Sequence, residues 1–411
     1  MIHQYTRMLF LWGAIAATAA GNTDKFRVVW RDDPAHRAVI GWCGGETAGT
    51  TVHYGYEDFG ADWGKYPLQA GVDRETEHVG LHHRFARLAG LKPASKVFFV
   101  VREGTGVSPR FWFLTAPDTV QPFTFVAGGD SRNHQDARQR ANRTVACLRP
   151  LFVCFGGDMV VKPETRTWSD WLDDWQLTTG ADGRMIPIVP ARGNHESKDC
   201  IHRTFDTPTP DDYYAMDIVP SYFRLYTLNS NITRAGKQGA WLVDDLTSNA
   251  GARWKVAQYH HPFRPHNAAK AEQFEQYKVW AEPFHKFGIS LAIECDSHTV
   301  KRTWPLRPST GPGSVEGFIR DDQSGTVFIG EGCWGAPLRP NDDDKEWTRA
   351  SGSFNQLDWI SVTPEQMVCR TVPVDGVAKF GTVDDADPAR APKGIEFWKP
   401  ENGCEIVIHP R

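Results

Sequence analysis

The chain has 411 residues, enough for two or three domains of ordinary size. With 40% hydrophobic and 23% charged residues it has the composition of ordinary packed cores. A formal net charge of −4 gives no ground for a nucleic-acid partner, which calls for a clustered basic surface.

At the N-terminus, Arg7 precedes the apolar stretch MLFLWGAIAATAA, and Ala17-Thr18-Ala19 offers small residues at a cleavage position. Residues 1–20 therefore read as a signal peptide, and the mature protein as exported, periplasmic or extracellular. The stretch is shorter than the roughly 20 apolar residues of a membrane span, and no other segment could span a bilayer. Eight cysteines suit an oxidising compartment, but they allow too many pairings for any to be assigned.

Residues 26–117 read as all-β. FRVVW, RAVIGW, TTVHYG, HHRFARL, KVFFVV and RFWFLTA are short β-branched and aromatic runs, punctuated by Gly, Pro and Asp at the spacing of a sandwich. Ala116-Pro117-Asp118 marks a boundary. From Pro122 the pattern alternates, which indicates layered α/β. FTFVAGGD, PLFVCFGGD, MIPIVPARGNH, RWKVAQYHH and ISLAIECDSH read as five buried strands. Helical stretches run up to Cys147, over 239–249 and over 270–287. Trp168, Trp171 and Trp175 recur at helical spacing and read as core, with Asp170, Asp173 and Asp174 as the solvated face. After Thr303, VFIGEG, DWISVT and MVCRTV return to short strands, and a Pro- and Gly-rich tail follows from Val374.

All five strands end in groups able to hold a cation. FVAGGDSR ends in Asp130, FVCFGGDMV in Asp158, VPARGNHE in Asn194 and His195, VAQYHHP in His260 and His261, and IECDSH in Asp296 and His298. Sites in α/β sheets form beyond the carboxyl ends of strands. Taken singly, Asp130 reads equally as a helix cap and Asn194-His195 as a turn. The joint occurrence at five strand ends carries the inference of a two-cation site.

These residues carry a resemblance. GGD, GGD, GNHE, HHP and the final x-His pair resemble the calcineurin-like metallophosphoesterase superfamily over roughly 121–370, and the preceding β-region resembles the fibronectin type III-like domain of purple acid phosphatases. The resemblance implies a four-layer αββα sandwich over 121–372, preceded by a fibronectin type III-like β-sandwich over 22–118 and followed by a C-terminal extension, 373–411, packed on the catalytic domain. It implies two metal ions, iron, zinc or manganese. Asp158 would bridge both, Asp130 and His298 would complete the first site, and Asn194, His260 (rather than His261) and Asp296 the second. His195 would contact phosphate, oriented by a carboxylate such as Asp158.

Three departures from the family pattern matter. Asp296 stands where the family's last motif has a histidine. Val161 stands where the purple enzymes have a tyrosine, so their colour should be absent. Arg132 stands where many relatives have a histidine ligand or glycine; it cannot bind a cation but can hold phosphate oxygens with its planar fork. The extra anion at position 296 predicts a neutral to alkaline optimum. The resemblance implies hydrolysis of small phosphomonoesters by metal-bound hydroxide; by its place in HHPFRPH, His266 is the candidate general acid and His261 its alternative, with a structural role an equal reading of both. A phosphodiesterase with the same metals and a non-catalytic binding protein on the same fold remain as rivals.

Overall fold

The structure is a computed structural model and describes residues 23–44, 49–375 and 380–411, so the signal-peptide reading of residues 1–20 lies outside the described residues. Two large mixed sheets dominate. In the first, ten strands run in the spatial order Glu405–Ile408, Met367–Pro373, Gln356–Val362, Phe123–Gly128, Phe152–Phe155, Ile188–Pro190, Asp24–Val29, Arg37–Cys43, Leu81–Ala89 and Arg74–His78. In the second, seven run in the order Tyr214–Val219, Phe223–Thr227, Trp254–Gln258, Leu291–Glu294, Val327–Gly330, Val300–Thr303 and Thr348–Gly352.

Side-chain alternation explains the layering. Successive residues of a strand face opposite ways. In Phe152–Phe155, Phe152 and Cys154 enter the core between the sheets, while Val153 and Phe155 face the outer helices. In the second sheet, Trp254 and Val256 enter that same inter-sheet core, and Ala257 and Tyr259 face outwards. The helices Gln135–Leu148 and Thr165–Trp175 cover the first sheet through Val145, Leu148, Trp168 and Trp171. The helices Lys237–Ser248 and Glu282–Phe287 cover the second through Leu242, Leu246 and Phe284. Helix, sheet, sheet and helix thus form four layers.

The N-terminal strands do not stand apart from this sandwich. Val29 pairs in parallel with Ile188, so one N-terminal sheet continues the ten-stranded one. A separate five-stranded sheet of Leu68–Ala70, Thr50–Gly55, Lys96–Glu103 and Gly106–Val107, with Phe111–Leu114 also paired to Lys96–Glu103, packs on it through Ile40, Trp42, Val52 and Phe99. The junction is also ionic. Asp206, whose side chain is fully buried, accepts from Arg74 at 2.6 Å, Arg87 at 2.8 and 2.9 Å and Arg31 at 3.2 Å.

Several local expectations need correction. The hairpin of Tyr214–Val219 and Phe223–Thr227 is absent from the sequence reading. The stretch read as a helix from residue 270 becomes helical only at Phe274, through a wide π-type turn at Tyr277–Ala281, and leaves Lys270 in a loop. Asp174 is not solvated: it is buried, with Arg138 Nε donating at 2.8 Å and Gln139 at 2.7 Å. Trp168, Trp171 and Trp175 are buried as expected. The tail returns as the edge strand Glu405–Ile408, antiparallel to Met367–Pro373. All eight cysteines are unpaired, and six are buried.

Candidate metal centre

The three strands Phe123–Gly128, Phe152–Phe155 and Ile188–Pro190 are mutually parallel, as are Trp254–Gln258 and Leu291–Glu294. Their carboxyl ends carry the predicted residues into one cleft. Asp130, Asp158 and His298 present ligand atoms within 4.8 Å of one another, and so do His260, His261 and Asp296. Asn194 Oδ1 lies 2.9 Å from His260 Nε2, Asp158 Oδ1 lies 3.3 Å from it and Asp296 Oδ1 lies 3.7 Å from it. Asp158 therefore belongs to the first group and borders the second. All six predicted ligands converge.

The backbone is strained where it presents them. Asp130, Asp158, Asp296 and His298 have φ of 56°, 55°, 71° and 58°, each in the left-handed region that costs a non-glycine residue about 1 kcal/mol. The paired glycines before the first two aspartates have a specific partner here. A Cβ on Gly129 or Gly156 would collide with Cys295 Sγ, which is wedged between the two turns.

Hydrogen bonding tests whether these residues fit cations. His260 Nδ1 lies 2.9 Å from the Gly156 carbonyl, and His298 Nδ1 lies 2.8 Å from that of Pro337. A carbonyl can only accept, so both Nδ1 atoms carry the proton. In the neutral ring each Nε2 then directs a lone pair at carboxylates: His298 Nε2 lies 3.1 Å from Asp130 Oδ1. Asp130 Oδ1 is buried and receives no hydrogen bond. Lone pairs facing oxygens need a positive charge between them, and imidazoles anchored through the opposite nitrogen are the usual arrangement around a bound metal. The same demand shows in the titration of His260. Burial lowers its pKa, but Asp158, Asp130 and Asp296 more than reverse this and raise it to about 9. The donor set of carboxylate, imidazole and amide oxygen fits two divalent cations.

Two protein cations reach into the cluster. Arg132 Nε donates to Asp158 Oδ2 at 3.2 Å, and its terminal nitrogen lies 3.3 Å from His298 Nε2. Lys270 Nζ donates to Asp296 Oδ1 at 2.6 Å. His195 donates through Nδ1 to the Val161 carbonyl at 2.7 Å, and its Nε2 stands 3.7 Å from Asp158 Oδ2. The chief hold on the His195 ring is thus a backbone carbonyl, not the carboxylate expected.

His266 is not presented to the cleft. Its side chain is fully buried, Nε2 pairs with Thr348 Oγ1 at 2.7 Å and Nδ1 faces Glu331 Oε1 at 3.5 Å. A ring with no exposed atom cannot protonate a leaving group. His266 instead belongs to a buried ionic network in which Lys301 Nζ bridges Glu294 at 2.5 Å and Glu331 at 2.6 Å. This network supports the ligands, because the Glu331 carbonyl accepts from the His298 backbone N–H at 2.7 Å. His261 faces Ser230 Oγ at 3.2 Å; burial and the neighbouring His260 lower its pKa to about 4, so it too is a poor acid at neutral pH.

Sequence reasoning missed Glu196 and Lys270. Glu196 follows the Asn-His pair, and its carboxylate accepts the backbone N–H groups of Asp158, Met159 and Gly193 at 2.9, 2.8 and 2.7 Å, which fastens two ligand loops together. A buried acid directly after two candidate ligands was a usable signal. Lys270 had none, since it lay within a stretch that read as helix.

No family model matches the chain. Among curated proteins, the uncharacterized proteins MT2654 and Rv2577 from two strains of Mycobacterium tuberculosis are each 23% identical over 322 residues, covering 62% of this chain. The chain spans 58% of the length of these relatives. Among solved structures, the purple acid phosphatase PPD1 from yellow lupin superposes with a TM-score of 0.71 at 11% identity, over 90% of this chain and 76% of that one. PhoD superposes with a TM-score of 0.62 at 12% identity, over 89% and 90%. At such identities the likeness is one of fold alone: the chain shares the architecture of that purple acid phosphatase and of PhoD.

Proposed function

We propose that the chain is an exported dinuclear-metal phosphatase acting on small phosphomonoesters. One observation carries this reading: two imidazoles, His260 and His298, are anchored through Nδ1 to backbone carbonyls and aim Nε2 at buried carboxylates, an arrangement that calls for a positive charge between them. Export rests on the sequence of residues 1–20 alone. The N-terminal two-sheet unit is read as fibronectin type III-like and serves to brace the catalytic sheet.

Asp130, Asp158 and His298 would hold one divalent cation, and Asp158, Asn194, His260 and Asp296 the other. Bound cations would supply a nucleophile at neutral pH and neutralise charge on the phosphoryl oxygens. The protein's own part is orientation. Arg132, pinned beside Asp158, points a guanidinium at the place where phosphoryl oxygens would lie. His195, with Nδ1 tied to Val161, keeps Nε2 for a phosphoryl oxygen, to which it donates when protonated. Glu196 holds both turns rigid, so these donors are in place before substrate arrives.

A second reading has support of its own. Arg132 and Lys270 each contact a ligand carboxylate, as they would in a binding protein where side-chain cations replace metals. Elemental analysis of purified protein, with assays on 4-nitrophenyl phosphate and bis(4-nitrophenyl) phosphate, decides between them. The phosphatase reading expects about two divalent ions per chain and faster monoester turnover. A metal-free protein without turnover would establish the second reading, and preferential cleavage of the diester would make the chain a phosphodiesterase.

A further inference from the structure

Resting on the phosphatase reading, we infer that Lys270 is a specificity-determining residue that makes the site select dianionic phosphomonoesters over monoanionic diesters. The charge of the cleft turns on Asp296. Among the residues facing His260 it is a carboxylate where the resembled family has a neutral imidazole, so the cleft carries one more negative charge than that pattern provides. Lys270 Nζ meets an oxygen of that carboxylate at 2.6 Å, so the added negative charge has a positive one set against it.

The lysine is delivered by a fixed turn. Its backbone N–H donates to the Asn267 carbonyl at 3.0 Å. Asn267 Nδ2 donates to the Pro340 carbonyl at 2.8 Å, and the Ala268 N–H donates to Asp342 Oδ1 at 2.9 Å. On the far side, Arg339 donates to the Asp296 carbonyl at 2.8 Å. The ammonium is therefore held beside Asp296, while its side chain keeps 22% of its surface exposed. An ammonium has three N–H donors. One is spent on Asp296, and among the described residues the other two meet no acceptor.

Lys270 and Arg132 consequently flank the ligand cluster from two sides, one at Asp296 and the other at Asp158 and His298. With two divalent ions added, the positive charge of the cleft exceeds that of its three carboxylates by more than a monoanion can balance. A phosphomonoester at neutral pH carries close to two negative charges and three terminal oxygens. A diester carries one charge and two such oxygens. The third oxygen of a monoester is the acceptor the free Lys270 N–H groups lack.

The test compares wild type, Lys270→Gln and Lys270→Arg, each with metals loaded. Three readouts are taken: kcat/KM on 4-nitrophenyl phosphate and on bis(4-nitrophenyl) phosphate, affinity for inorganic phosphate by calorimetry, and metal content. In Lys270→Gln the ratio of monoester to diester kcat/KM should fall about tenfold, phosphate should bind about tenfold more weakly, and two metals should remain. Lys270→Arg should restore most of the ratio. Equal losses on both esters, or undiminished phosphate affinity, would overturn the role of Lys270 while leaving the phosphatase reading standing. Loss of a metal in Lys270→Gln would likewise overturn it in favour of a purely structural lysine. Wild type that holds no metal and cleaves neither ester would overturn both readings together.

Discussion

The backbone N–H of Asp296 donates to Asp130 Oδ2 at 2.9 Å, across 166 positions of chain. The carboxylate of one cation group is thereby tied to the backbone of the other, while its second oxygen, Oδ1, stays buried and without a donor. One oxygen fixes geometry, and the other is free for a ligand. The two groups should therefore respond together when either is disturbed.

Asp130→Asn separates these duties. The amide oxygen retains the hydrogen bond to Asp296 but removes the charge. Metal content should fall by at least one ion per chain, and turnover by more than about a hundredfold. The metal-free variant should unfold at a lower denaturant concentration than metal-free wild type, because, against burial, His260 and His298 hold the Asp130 carboxyl below its ordinary range and the variant loses that attraction. Elemental analysis and denaturation curves read both. Full metal content in the variant would remove Asp130 from the ligand set.

Arg132→Gln and Arg132→Lys probe the planar fork. If the guanidinium orients phosphoryl oxygens, Arg132→Gln should lower kcat/KM about a hundredfold at saturating metal. Arg132→Lys should recover little, because an ammonium cannot contact Asp158 and a substrate with the same planar geometry. Full activity in the lysine variant would reduce Arg132 to a simple counter-charge.

Asp206 joins three arginines at the junction of the N-terminal strands with the rest of the ten-stranded sheet's layer. Asp206→Asn should leave these guanidinium groups crowded without their anion and destabilise the protein by about 3 kcal/mol in denaturant titration. It should leave kcat at low temperature close to that of wild type, since no ligand loop is touched. A selective loss of kcat with unchanged stability would contradict a bracing role for the N-terminal unit.

His83 should give the protein an acid-sensitive component remote from the cleft. Its pKa is lowered from 6.5 to about 2, first by burial and then by Arg27, whose terminal nitrogen lies 3.1 Å from Nδ1. The folded value is the depressed one, so the stabilisation is present above pH 6.5 and is lost as pH falls. By about pH 5.5 it should have cost about 1.4 kcal/mol, the equivalent of one pH unit. Unfolding free energies measured between pH 7 and about pH 5 should fall less steeply in His83→Gln than in wild type. Identical slopes would refute this.

Most of the strands that carry the candidate ligands were legible because buried parallel strands read as apolar runs, which here stop at a polar residue; Trp254–Gln258, with Lys255 and Gln258 inside it, is the exception. Asp130, Asp158 and His298 needed no knowledge of packing to be noticed. What could not be read depended on distant partners. The proximity of His266 to the HHP motif suggested chemistry, yet its burial is set by Glu331 and Thr348, far along the chain. Asp174 followed a plausible polar stripe until Arg138 on the neighbouring helix claimed it. The hairpin at Tyr214–Val219 escaped because Pro220-Ser221 lacks the glycine that announces a tight turn. Lys270 escaped because a helix starting four residues later masked a loop.

The left-handed turn at Asp296, φ 71°, also governs what could ever have taken that position. Such a backbone accepts Asp, Asn and His several-fold more readily than other non-glycine residues and resists β-branched ones. Exchanging the carboxylate for an imidazole there would require no rebuilding of the main chain, so one torsion angle limits which side chains this corner of the cleft can present.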